Sequence, residues 1–215
     1  MLTPEEHALF LSTIAKIQVQ AQEQLLADTT PAHTVHFITR LHGSVDQLSH
    51  KSQQEQTFAC QAGCSYCCHV RVEALEPEIF LIARTLRQES LIDQFHTMQR
   101  LQAHVNQQQA AKGKVVHQPC PFLVNQMCSI YLVRPAVCRK AHSLDVQACA
   151  TQQPQLPQNL AMALGAEALM KGTAYAYQSL ELSASGHELA QSVLLAMQDD
   201  MAEQRWLAGE PVFKE

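Results

Sequence analysis

Glycine is scarce in this chain, and so are aromatic residues and charge. Of 215 residues, 7 are glycine and 1 is tryptophan, while aromatic residues make up 6% and charged residues 16%. So little glycine leaves few places for left-handed turns, and the frequent Gln, Ala and Leu favour helices. Basic residues are outnumbered, 15 Lys and Arg against 20 Asp and Glu, for a formal net charge of −5 and a pI near 6.1. No run of Lys and Arg occurs, so the footprint of a nucleic-acid binder is missing. No uninterrupted apolar stretch reaches the roughly 18 residues of a membrane span. The start, Met1-Leu-Thr-Pro-Glu-Glu-His, carries two acids where a signal peptide has a basic stretch. The expectation is a cytoplasmic protein with neither nucleic acid nor membrane as partner. With 47% hydrophobic residues, the chain is long enough for one cored domain with helical extensions.

What the chain does have is cysteine. There are 8, and four of them crowd into Cys60-Gln-Ala-Gly-Cys64-Ser-Tyr-Cys67-Cys68. The others are Cys120, Cys128, Cys138 and Cys149. Where thiols are kept reduced, such density points to metal binding or catalysis before disulfides.

Helical periodicity accounts for most of the remainder, and the predicted class is all-α. Thr3-Pro4-Glu5-Glu6 reads as a capping box with proline at the first helical position. An apolar stripe through Phe10, Ile14, Ile17, Ala21 and Leu25 runs to about Leu26. Pro31 opens a second helix toward Gln56, with Val35, Ile38, Leu41, Val45 and Leu48 inward, and the two read as an antiparallel pair. Pro77 starts a third helix over 77–88. Ser90-Leu-Ile-Asp93 caps a fourth, carrying Leu91, Phe95, Met98, Leu101 and Val105 and fading near Gly113. These two form a hairpin that returns Cys120 to Cys64. A short helix is predicted around Pro135 to Ser143. Residues 151–158 read as a Pro/Gln linker, and two further helices follow near 159–182 and 187–207, the last capped by Ser185 and Glu188. The layout is a helical pair over 1–56, a cysteine-cluster metal-binding domain over 57–150, and C-terminal helices over 151–215 on the same core: a helical bundle with irregular cysteine-rich loops.

In the first box, Gly63 allows a sharp bend before the next sulfur, and Cys64-x2-Cys67 is a zinc half-site. A cubane cluster also takes four cysteines, commonly three from a short run and one from a distance. Spacing alone leaves both open. Cys67 and Cys68 are adjacent and hard to aim at one tetrahedral ion, so Cys68 serves a second metal or packs as a thiol. Cys120, Cys128 and Cys138 are spaced too widely for a finger of their own and read as late ligands to the first box. Cys149 is the outlier. Arg71, Arg134, Arg139 and Lys140 lie beside the cysteines, and Arg134 and Arg139 are the residues expected to hold a thiolate centre of net charge −2.

The pattern C-x3-C-x2-C-C, then Cys120-Pro-Phe-Leu, Cys128-x-Ile-Tyr131 and Arg134-Pro-x-x-Cys138-Arg139, resembles the YkgJ-type cysteine-cluster family over roughly Cys60 to Arg139. That family is described as chelating zinc or iron and is often associated with iron–sulfur clusters. A related cysteine box occurs in enzymes that methylate flagellin lysines. The resemblance implies metal-ligand roles for the seven cysteines in register; Cys149 falls outside it.

Cys60-x3-Cys64-x2-Cys67 is also similar to the radical-SAM signature, but the helical pattern that follows does not suit the barrel such enzymes need. His69 and His142 flank the boxes as spare ligands, and the His33/His36 pair reads as exposed polar positions or core edges. Glu73, Glu76 and Glu78 read as acids marking a helix start. No phosphate loop, nucleophile elbow or H-E-x-x-H motif is present, so no catalytic constellation is assigned. The expected function is to hold a cysteine-ligated centre, an iron–sulfur cluster such as [4Fe–4S] ahead of zinc, with all eight cysteines as candidate ligands. The alternatives are a structural zinc module for an unidentified protein partner, or an accessory module of a methyltransferase or thiol redox enzyme.

Overall fold

Thr3 caps the first helix as its sequence predicts. Its hydroxyl accepts from the Glu6 N–H at 3.2 Å, and the Glu6 carboxylate accepts from the Thr3 N–H at 2.8 Å. The computed structural model describes residues 2–61, 63–111 and 118–213. Helix α1 spans Pro4–Leu26. The single helix expected from Pro31 to Gln56 is two helices, α2 (Pro31–His36) and α3 (Ile38–Glu55), broken at Phe37. The Phe37 ring is buried there, edge-on to Tyr177 with centroids 6.1 Å apart.

Helices α4 (Glu76–Leu86) and α5 (Leu91–Ala110) follow, with Ser90 capping α5 through the Asp93 N–H. The expected end of α5 at Gly113 lies outside the described residues. Short helices α6 (Ala136–Lys140) and α7 (Val146–Ala150) precede α8 (Leu160–Gln178). The last predicted helix is again two, α9 (Leu189–Gln198) and α10 (Ala202–Leu207). Two antiparallel ribbons complete the fold: β1 (Glu73–Leu75) pairs with β4 (Gly186–Glu188), and β2 (Leu123–Val124) pairs with β3 (Met127–Cys128). The protein is mostly α. The ribbons are too short to leave an alternating pattern in sequence.

Partners differ from the predicted pairs. Helix α1 packs along α8, where small residues allow close approach. A Cβ on Gly172 would stand 2.6 Å from Ile17 Cγ2 and 2.9 Å from the Ile14 carbonyl oxygen. Likewise α4 and α5 both pack on α9. The N-terminal half of α5 is not the apolar face its spacing implied, since Leu91 and Phe95 are exposed while Leu101 and Val105 are buried. The core gathers Phe80, Phe122, Ile38, Tyr177, Val193 and Trp206 into one cluster. The Phe80 and Trp206 rings pack tilted at 36° with centroids 5.2 Å apart, and the Trp206 indole N–H donates to the Ser183 carbonyl at 2.7 Å. Burying such side chains is worth roughly 1.5–3 kcal/mol each. No helix among the described residues is long and apolar enough to cross a membrane.

Two buried carboxylates fix the elements that frame the cysteines. Glu78 Oε2 accepts from the Leu75 N–H at 2.9 Å; its Oε1 accepts from His42 Nε2 at 2.9 Å and from the Ala136 N–H at 2.6 Å. One side chain thereby ties α3, α4 and the start of α6 together. Glu76 accepts from the Ser183 hydroxyl, the Ser185 N–H and His187 Nε2, the last at 2.8 Å. Ser185 is therefore engaged by Glu76, and Glu188 alone caps α9, accepting from the Gln191 N–H at 2.7 Å. Glu76 and Glu78 do more than mark a helix start.

Candidate metal centre

The first cysteine box bends where its sequence predicts. Gly63 has φ +84°, a left-handed conformation that costs an L side chain strain. Cys64 N–H then donates to the Gln61 carbonyl at 3.0 Å, and a single 3₁₀ turn spans Tyr66–His69. Three contacts bring the rest of the cysteine region onto this turn. The Cys120 N–H donates to the Cys68 carbonyl at 2.7 Å, the Ala59 N–H to the Ser143 carbonyl at 2.8 Å, and the Ser65 hydroxyl to Gln126 Oε1 at 2.6 Å. The two boxes form one site.

Within that site the thiols fall into two sets. Cys60, Cys64, Cys67 and Cys149 line one cavity of about 320 Å³, together with Tyr66, His69 and His142. Cys149 arrives there on α7, which Asp145 caps and which packs against the Tyr66–His69 turn. The outlier of the sequence is thus a neighbour of the first box. The wall opposite comes from Gln152, Gln153, Leu156 and Gln158, the segment read as a linker. Gln152 has φ +51°, which no sequence pattern announced.

Cys68, Cys120, Cys128 and Cys138 do not line that cavity, and the last three are close enough to Cys67 to feel its charge. Cys120 and Cys128 flank the β2–β3 ribbon and pack on the core. The ribbon folds back tightly: the Leu123 N–H donates to the Cys120 carbonyl at 2.9 Å and the Ser129 N–H to the Phe122 carbonyl at 2.8 Å. Cys138 comes from α6, whose first N–H is held by Glu78. It is close enough to feel charge on Cys120, Cys67 and Cys128.

All eight thiols are free. Among the described residues, no three Cys, His, Asp or Glu side chains already stand at metal-bonding separation. The sulfurs share a neighbourhood without touching a common point. Their protonation shows how the neighbourhood treats charge. The Cys68 thiol donates to the Cys67 sulfur, and this hydrogen bond lowers Cys67 to about 6 against the opposing effect of burial, with help from the charges of Arg134 and His69. Cys68 is raised for the same reason, because it keeps the proton. Burial raises Cys120 to about 11 and Cys138 to about 12, and it also raises Cys60 and Cys128. Such thiols ionise together only when a cation joins them.

The arginines divide the work. Arg139 is buried, and its guanidinium donates to the carbonyls of Arg134 and Leu132 and to Asp46. It holds the loop that carries Arg134. The Arg134 guanidinium lies 4.0 Å from the Tyr131 ring centroid, and its Nε is buried with no acceptor among the described residues. Arg134 lowers both Cys67 and Cys128 through its charge. A buried N–H without a partner beside two thiols fits an anionic thiolate centre. Lys140 is engaged by Glu167 at 2.7 Å, and Arg71 is exposed beside Glu73.

The histidines separate as well. His142 Nδ1–H donates to the Lys140 carbonyl at 2.8 Å, while its Nε2 accepts from the Asn159 N–H at 2.9 Å. Both ring nitrogens are occupied, and the ring stacks on Phe58. His69 Nδ1–H donates to the Ser65 carbonyl at 3.0 Å.

Comparison with known families agrees with this chemistry. Residues 59–159 match the model of the CxxCxxCC family, described as "Putative zinc- or iron-chelating domain". The match extends past Cys149, through the segment that walls the cavity. No curated protein and no solved structure matches the chain.

Proposed function

From the premise that residues 59–159 are a zinc- or iron-chelating cysteine domain, we infer that the chain holds an iron–sulfur cluster in the cavity ringed by Cys60, Cys64, Cys67 and Cys149. The observation that carries this reading is the size of the cavity, about 320 Å³, between four cysteines. A single zinc with sulfurs at ~2.3 Å would draw its ligands in and leave no space of that order. A cubane brings its own irons and sulfides and takes three cysteines from a short run with one from a distance. Cys60, Cys64 and Cys67 are the run, and Cys149 supplies the distant ligand.

Bound there, a cluster would supply one-electron chemistry. The residues of the chain do the rest. Cys67 offers a sulfur already biased toward thiolate by the Cys68 hydrogen bond. Arg134 presents positive charge and an unpaired N–H, which offset the cluster's negative charge and raise its potential. Leu156 and Tyr66 add apolar surface to the cavity lining. The reading is of a redox or cluster-carrying protein of cytoplasmic type, with zinc as the competing occupant. The test is the visible spectrum of protein purified without air, in wild type and in Cys149→Ser and Cys64→Ser variants. Charge-transfer absorbance that bleaches with dithionite and falls in both variants is expected. Full absorbance in Cys149→Ser would remove the fourth ligand from the assignment.

A further inference from the structure

A second, smaller cleft of about 30 Å³ lies where the end of the β1–β4 ribbon meets α5 and the stretch leading into Cys120. Val70, Val72 and Leu189 give it aliphatic walls, and Gln118 and Glu188 line it with oxygen. Gln118 is only 7% exposed. Its Nε2–H donates to the His104 carbonyl at 3.2 Å, while its Oε1 is buried with no donor among the described residues. Because the nitrogen's partner is a carbonyl, the two ends of this amide cannot be exchanged. An acceptor buried without a donor calls for a partner from outside the chain. Glu188 is 9% exposed, and its Oε2 accepts from the Gln191 N–H at 2.7 Å, which leaves Oε1 to the cleft. The basic groups nearby are engaged or neutral. Arg71 pairs with Glu73 at 3.4 Å, His187 pairs with Glu76 at 2.8 Å, and burial lowers His104 from its ordinary value. The start of α9 contributes only about half a positive charge, so the cleft wall stays negative.

We propose that this cleft binds one small primary ammonium ion, ammonium itself or methylammonium, with Gln118 Oε1 and the Glu188 carboxylate as its acceptors. The chemistry of the lining excludes the other small occupants in turn. An anion would meet the Glu188 charge. Calcium and magnesium take six or more oxygens, and two side-chain oxygens are too few. Water would satisfy Gln118 but leave the buried carboxylate without a counter-charge. An ammonium group brings N–H donors for both oxygens and the missing positive charge together. Size sets the rest of the molecule. A single water needs roughly 10–15 Å³ of such space, so 30 Å³ admits about two atoms of that size. The aliphatic walls suit a methyl group beside the charged head. Val70 lines both this cleft and the cysteine cavity, and Cys120 lines this one. The ammonium site therefore backs onto the cysteine region, and it does not depend on which metal the cysteines carry.

Equilibrium dialysis of the full-length, metal-loaded protein against isotope-labelled methylammonium tests this, with sodium chloride holding ionic strength constant. Uptake should saturate at a single site per chain and be displaced by ammonium chloride. Tetramethylammonium, which has charge but no N–H, should not displace it. Glu188→Gln, which keeps an oxygen to cap α9, and Gln118→Met should each weaken binding by about tenfold or more, the scale of one lost charge-assisted hydrogen bond. Melting curves without ligand establish that each variant folds; should Gln118→Met not fold, Glu188→Gln decides. Uptake that never saturates, or that survives unchanged in Glu188→Gln, overturns the site. Equal displacement by potassium chloride or tetramethylammonium overturns the hydrogen-bonded ammonium in favour of a bare cation. Equal displacement by n-butylammonium, whose stem exceeds the cleft, overturns the size limit and assigns the head group to a longer amine.

Discussion

His42 Nε2 donates to Glu78 Oε1 at 2.9 Å, and both side chains are shielded from water. The same carboxylate accepts two backbone N–H groups, from Leu75 and Ala136. Three segments distant in sequence therefore converge on one acid. Removing it leaves a buried imidazole and two N–H groups without partners.

Glu78→Ala should cost about 3 kcal/mol, the usual scale for breaking a buried ionic hydrogen-bond centre. Urea unfolding of the metal-loaded protein checks it through the midpoint at unchanged slope. Metal content should fall with stability, since Ala136 leads into Cys138. A shift below about 0.5 kcal/mol, the range of ordinary surface substitutions, would show that the network is not needed.

Cys67 and Cys68 share one proton, so metal-free protein should alkylate first at Cys67. Cys67 is held down to about 6, so its reaction rate should rise through that pH and level off above it. Over the same range the unfolded chain still binds a proton that the folded chain has released, so this group adds stability as pH rises from about 6 toward the ordinary thiol value of about 8.5. Cys68→Ala removes the donated hydrogen bond and should move the midpoint upward. A single midpoint near 8.5 in both proteins would contradict the shared proton.

Arg134→Met should shift the cluster's reduction potential to more negative values, because loss of a cation disfavours the added electron. Arg134→Lys should recover part of the shift through charge but not through the Nε–H. Spectroscopic redox titration reads this directly. Arg139→Met, by contrast, removes donors to Arg134, Leu132 and Asp46 and should act mainly on stability.

Gly172→Ala should destabilise by about 1–3 kcal/mol, the cost of overpacking, because the new methyl meets Ile17 and the Ile14 carbonyl oxygen of α1. At Gly165 the nearest atom, 2.7 Å away, is the tip of the Leu48 side chain, which can rotate, so Gly165→Ala should cost less. Thermal melts compare the two. Equal effects would mean that α1 is not seated on α8 by its small residues.

The helices were legible because caps and 3.6-residue stripes act locally: Thr3, Pro31 and Ser90 start helices where they should. The breaks at Phe37 and between α9 and α10 were not, since burial of Phe37 beside Tyr177 is decided by partners elsewhere in the chain. The candidate site was legible as a set of thiols, and the bond from the Cys120 N–H to the Cys68 carbonyl spans the long gap between the boxes. The place of Cys149 in the cavity was not, because it arrives there through the packing of α7, and spacing carries no trace of that. Glu76 and Glu78 were misjudged for the same reason: their partners, His42, Ala136, Ser183 and His187, lie far away in sequence.

Chemical analysis of iron and acid-labile sulfide on protein made and purified without air tests the cluster most directly. A brown protein with about four irons and four sulfides per chain, bleached by dithionite, is the predicted result. A colourless protein carrying zinc alone, with no sulfide, would contradict it.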